Sequence, residues 1–246
     1  MEDPHVKKVT LSTLAVLIAA ATLTASASAG PRVPQIILDN PATHLQPQID
    51  ILNSDPIDVT TEQLDIQRWE KNVSGTGTVT FSFSLAALPA GSEIGIYNAA
   101  HAPGTLIPAS ELYPLFQPTA EPGWYATATF TAPNLLTVTR FNHLTAIQGQ
   151  EVYNNVHVND FSFYMKNGAV LSFAQDVVND PQQARVLTFA GTGDKDGGWF
   201  LCFEDGLTQD NVDEDQDFDE AIVFVEAMRP VPVNKATWAS LKSLYR

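Results

Sequence analysis

The residues with the most chemical potential lie between Glu204 and Glu220, in FEDGLTQDNVDEDQDFDE, where nine carboxylates crowd one stretch. They are Glu204, Asp205, Asp210, Asp213, Glu214, Asp215, Asp217, Asp219 and Glu220, and no Lys or Arg falls between Lys195 and Arg229. Held close together, so many like charges must either take up protons or gather a hard cation. Calcium suits such a set, because it accepts six to eight oxygen ligands in irregular geometry and extracellular modules bind it at about 10⁻⁴ to 10⁻³ M. Magnesium prefers fewer carboxylates and keeps its waters; zinc would want His or Cys, and none lies near.

The spacing Asp213, Asp215, Asp217, Asp219 invites comparison with an EF-hand loop, and the comparison fails. Counting from Asp213, Phe218 stands where Gly is needed and Phe224 where the bidentate Glu belongs. In extended backbone alternate residues share a face, so Asp215, Asp217 and Asp219 converge while Phe218 turns inward as an anchor. Asp194 and Asp196, before Gly197-Gly198, are further candidate ligands, although an ordinary exposed turn accounts for them equally well. A solvated acidic loop without a ligand is the alternative to the whole site.

Two apolar runs of strand length, Trp199 to Phe203 and Ala221 to Val225, bracket the loop and predict two neighbouring strands that fix its ends. Strict alternation places Val79, Phe81, Phe83 and Leu85 on one face of another strand. Weaker alternation marks Ile94 to Tyr97, Tyr125 to Thr131, Leu135 to Phe141 and Arg185 to Ala190. Phe161 to Met165 and Ala169 to Phe173 flank Lys166-Asn167-Gly168, a hairpin turn. Short strands separated by Pro and Gly predict an all-β fold, an antiparallel β-sandwich of jelly-roll-like kind with a short C-terminal helix. The Pro-rich stretch from Ala99 to Gly123 is a long connection, and Thr60 with Gln63 forms a capping box for a helix reaching Trp69.

Four segments follow: residues 1–29 as a signal peptide, 30–59 as an extended N-terminal segment, 60–228 as the sandwich, and 229–246 as a linker and amphipathic helix. Lys7-Lys8, the apolar run from Leu11 to Leu23 and Ala27-Ser28-Ala29 have the layout of a secretory signal cleaved after Ala29, with an uncleaved anchor as the alternative. The mature chain contains no apolar stretch long enough to span a bilayer. In the terminal segment Trp238, Leu241 and Tyr245 line one helical face, for packing on the domain or for docking to another protein. The net charge of −15 argues against nucleic acid as a partner. Cys202 is the only cysteine, so no internal disulfide forms, and within Trp199 to Phe203 it is a small buried hydrophobe.

Phe203-Glu204-Asp205 followed by Asp215-Gln216-Asp217-Phe218-Asp219-Glu220-Ala221 resembles the signature of the DUF4114 domain family. The likeness extends to Glu93-Ile94-Gly95-Ile96-Tyr97-Asn98 and Phe163-Tyr164-Met165-Lys166-Asn167-Gly168, covering about residues 60 to 226. It implies an exported bacterial domain, β-rich and calcium-associated, without established catalysis. Carried over by position, Glu204, Asp205, Asp215, Asp217, Asp219 and Glu220 are the candidate metal ligands, with Asp194, Asp196 and Asp213 as additional ones. This chain departs from the family in having Asp219 where Asn is common and Glu220 where Asp is usual. It also lacks the family's Pro-Glu-Pro sorting tail.

His44, His101, His143 and His157 are scattered, and neither a metalloprotease helix, a Gly-x-Ser-x-Gly elbow nor a phosphate loop is present. The expected function is therefore non-catalytic: an exported calcium-binding module at a cell surface or matrix, presenting loops to a glycan or a surface protein. Trp124 and Tyr125 are either a stacking platform for sugar or part of the core. A secreted carbohydrate-active enzyme using the paired acids of the loop, or a structural component of an extracellular layer, are the alternatives.

Overall fold

The computed structural model describes residues 30–71, 79–132, 134–205 and 216–231. The signal segment, Asp213, Asp215 and the C-terminal helix lie outside the described residues. Within them are one α-helix, three short 3-10 turns and thirteen strands. The helix is α1 (Leu45–Leu52). The strands are β1 (Trp69–Lys71), β2 (Val79–Ala87), β3 (Glu93–Asn98), β4 (Leu112–Phe116), β5 (Tyr125–Ala132), β6 (Leu135–Phe141), β7 (Ile147–Asn154), β8 (Phe161–Asn167), β9 (Val170–Phe173), β10 (Val186–Ala190), β11 (Trp199–Phe203), β12 (Ala221–Glu226) and β13 (Met228–Pro230).

The expected antiparallel sandwich is what the chain forms. One sheet runs β10-β11-β12-β2-β5-β6-β7, the other β13-β1-β8-β3-β4 with β9 paired to β8. Alternation makes the core between them: Phe83 and Leu85 of β2, Ala126 and Ala128 of β5, and Leu136 and Val138 of β6 all point inward. They meet an aromatic cluster in which Phe163 stands 5.9 Å from Trp69 and 6.1 Å from Phe83, both edge to face. Each fully buried Phe contributes roughly 1.5–3 kcal/mol. Arg140 of β6 also points into this core, where its guanidinium donates to the carbonyls of Leu115 at 2.8 Å and Pro114 at 2.6 Å. One side chain thus ties the two sheets together.

A second core lies on the outer face of the seven-stranded sheet and corrects the reading of residues 30–59 as extended. Leu45, Ile49 and Leu52 recur at helical spacing, and α1 buries the first two completely. Pro47 falls in the first turn, where its missing N–H has no partner to lose. Ile51, which gives the stretch its strand-like alternation, is 84% exposed. The helix and its flanks cover Leu187, Phe189, Phe200, Ile222 and Phe224. Gln63, buried, accepts from the N–H of Ile36 at 2.8 Å and donates to its carbonyl at 3.0 Å, standing in for a neighbouring strand.

Two further expectations are corrected, and one strand is added. No helix forms between Thr60 and Trp69; Thr60 instead donates to the Asp58 carboxylate through its N–H at 2.9 Å, closing a local turn. The stretch from Ala99 to Gly123 contains β4, an edge strand that admits Pro114 because its sheet order ends there. β7 is a whole strand that the alternation rule did not show, the other kind of edge, with one face exposed and the other only half-buried. Among the described residues no helix is long and apolar enough to cross a membrane.

Candidate metal centre

β11 and β12 pair directly, Phe203 opposite Ala221, so the acidic segment connects two neighbouring strands as their apolar runs predict. Its described ends, Glu204-Asp205 and Gln216 to Glu220, meet at one edge of the second core. The backbone there is not extended: Gln216 has φ 53° and Phe218 φ 57°, left-handed values that non-glycine residues adopt only under tertiary constraint. These two kinks, rather than strand alternation, send Phe218 inward and bring Asp217 and Asp219 to a common neighbour. Phe218 is 1% exposed and packs with the core that α1 covers. The Phe218 N–H donates to Glu204 Oε2 at 3.3 Å, and the Gln216 carbonyl accepts from the Asp39 N–H at 3.3 Å.

Two groups of ligating atoms result, each within 4.8 Å across, and both contain Asp217. Glu204, Asp217 and Glu220 form one, with Glu204 2% and Asp217 3% exposed. His44, Asp217 and Asp219 form the other, with His44 Nδ1 2.8 Å from Asp217 Oδ2 and 3.5 Å from Asp219 Oδ2. Gln48, one turn along α1, donates to Asp219 Oδ2 at 2.9 Å. The helix and its N-cap therefore supply a bracing amide and a candidate nitrogen ligand. The expectation that no His lies near is corrected, because His44 arrives through the fold and not through the local sequence.

The electrostatics follow from the burial. Glu220 Oε2 is buried without a hydrogen-bond partner. Its carboxyl is pushed up to about 9, first by burial, then by the charge of Glu204 and, less, by Asp217 and Asp205. At neutral pH Glu220 thus holds a proton in the absence of a cation. A cavity of about 70 Å³ opens beside Glu204, lined also by Arg185, Gln216 and Phe218. That volume holds a few waters or a partly hydrated ion. Arg185 precedes β10, and its carbonyl accepts from the Glu204 N–H at 3.0 Å. Arg185 thus lines the same cavity as Glu204 from outside the stretch between Lys195 and Arg229, and sequence neighbourhood did not show it.

The remaining candidates sort by position. Asp205 belongs to neither group; Asn167, at the turn between β8 and β9, donates to it at 2.7 Å. Asp194 and Asp196 lie before β11, at the far end of a five-residue strand, about 13 Å or more from Phe203. Asp194 is exposed beside Lys195, 3.7 Å away, and takes no part in the cluster. Asp213 and Asp215 lie outside the described residues. Cys202 is fully buried in the second core, where burial pushes its thiol well above the usual range, as expected of a small hydrophobe. Tyr125 stacks on Phe141 at 4.5 Å, and Trp124 is half-buried against the main core.

The described residues hold acidic groups that could bind a metal ion, in two sets that share one carboxylate. No protein-family model, curated protein or solved structure matches this chain, so the likeness to the DUF4114 signature rests on its motifs alone.

Proposed function

We propose that the chain is an exported, non-catalytic β-sandwich module braced by calcium, serving a surface or matrix interaction with a glycan or protein. The observation that carries the ion is the burial of Glu204 and Asp217 within 4.8 Å of Glu220, an arrangement that water alone stabilises poorly. Three carboxylates offer only oxygen, the donor set of a hard cation. The motif resemblance supports the same reading, and the secretory layout of the first 29 residues supports export.

Hydrolysis is disfavoured by size. The cavity of about 70 Å³ beside Glu204 is far below the 300–1,000 Å³ typical of sites that enclose a small molecule, which supports a non-catalytic reading of the described acids. A second reading follows from His44: a nitrogen with two carboxylates suits zinc or a similar transition metal.

Thermal unfolding of the chain with calcium, magnesium, zinc or chelator tests both. Millimolar calcium raising the melting temperature over chelator is the expected result. A rise with micromolar zinc and none with calcium would replace the first reading by the second. No shift with any of the three would overturn the ion.

A further inference from the structure

The outer face of the seven-stranded sheet changes character across β2. Its β10-β11-β12 half is apolar and covered by α1 and its flanks. The outward residues of the other half are half-buried on β5 and β6 and exposed on β7, and pairing aligns them in rows. Tyr125, Phe141 and Ile147 form the first, Thr127, Thr139 and Gln150 the second, Thr129, Thr137 and Val152 the third. Their chain neighbours Ala126, Ala128, Leu136 and Val138 are buried, so these nine point away from the core. Rows stand about 6.7 Å apart and strands about 4.8 Å apart. None of the nine is charged, on a chain of net charge −15.

The rows differ in a useful way. The first is apolar, with Tyr125 and Phe141 stacked at 4.5 Å and Ile147 66% exposed. The second is polar, with Gln150 donating to the Thr139 hydroxyl at 3.0 Å. Beside the first row Ser84, paired to Tyr125, continues into a groove of about 480 Å³. Phe200 and Phe224 line it, together with Ile51 and Leu52 of α1. The charges at its mouth, Asp194 and Lys195, offset each other at 3.7 Å.

Such a surface selects by what it lacks. Anionic glycans and nucleic acid need cations that it does not offer. A protein partner would seat on the apolar row and groove and leave the Thr and Gln rows unmatched. A neutral polysaccharide has both complementary features: C–H faces for the aromatic row and hydroxyls for the Thr and Gln rows. We propose that this half-face, with the adjoining groove, binds a neutral polysaccharide. The inference rests on the reading of the chain as a binding module and is independent of the cation.

Electrophoresis of the full chain, with calcium present, through gels containing hydroxyethylcellulose, xylan or galactomannan tests it, with polygalacturonate as the anionic counterpart. Retardation in at least one neutral gel and none in polygalacturonate is expected. Thr127→Asp with Thr139→Asp places two charges on the half-buried outer surface of β5 and β6 and abolishes the retardation, while Tyr125→Ala with Phe141→Ala weakens it tenfold or more. Unchanged mobility in all three neutral gels, or full retardation of the double Asp variant, overturns the proposal. A calcium-dependent melting temperature alongside unchanged mobility would overturn this face and leave the module reading intact. Release of reducing sugar would overturn the module reading itself.

Discussion

β11 carries an acidic turn at each end, and the two behave in opposite ways. Upstream, the Asp194 carboxyl sits below its ordinary range, chiefly through its hydrogen bond to Ser54 and, less, through the charge of Lys195. Downstream, Glu220 is pushed up to about 9 by burial and by Glu204. The residue types are the same; the cover differs. α1, Phe218 and the left-handed kinks take one turn out of water, whereas Asp194 and Asp196 of the other stay exposed. Acid count therefore says little about ion chemistry until the solvent is accounted for.

The largest way to break this contrast is Phe218→Ala. Removing a fully buried ring should cost about 3–5 kcal/mol in a denaturant melt and admit water to the downstream turn. Calcium sharpens the contrast instead: at about 2 mM and the affinities of extracellular modules, it should add about 0.6–2 kcal/mol over chelator. Asp217→Asn, which touches both ligand groups, should weaken that binding about tenfold or more, read by calcium titration of the melting temperature.

The pH dependence is a smaller effect with a definite sign. Glu220 has a folded value of about 9 against an ordinary 4.5, so between these the folded state retains a proton that the unfolded chain has lost. In chelator its contribution to stability is full below pH about 4.5 and is lost as pH rises to about 9. Glu220→Gln should flatten that slope, measured by melting temperature against pH. The smallest effect belongs upstream: Asp194→Asn should leave both the melting temperature and its response to calcium unchanged.

The strands nearest the site were legible because their signals are local. Trp199 to Phe203 and Ala221 to Val225 are continuous apolar runs, and they form β11 and the body of β12. Gly168 takes the positive φ that the Asn-Gly turn predicts. Edge strands were not legible: β4 carries a proline, and β7 buries neither face enough to select alternating residues. The acidic half of the site was visible as composition, and the inward turn of Phe218 as an anchoring need. Its helical half was hidden, because Gln48 and Asp219 are 171 residues apart and only the second core brings them together. The same holds for Arg185, a strand away in space from Glu204.

The layer formed by residues 36–59 has a mechanical consequence. It seals the greasy outer side of β10, β11 and β12 and carries the His44 arm of the candidate cluster on the same piece of chain. A protease that cuts near α1, or a force that peels this flap from its start, would strip the histidine from the carboxylates and bare Phe189 and Phe200 together. Loss of the flap would thus register as two events at once, a surface turned sticky and a cluster left one arm short.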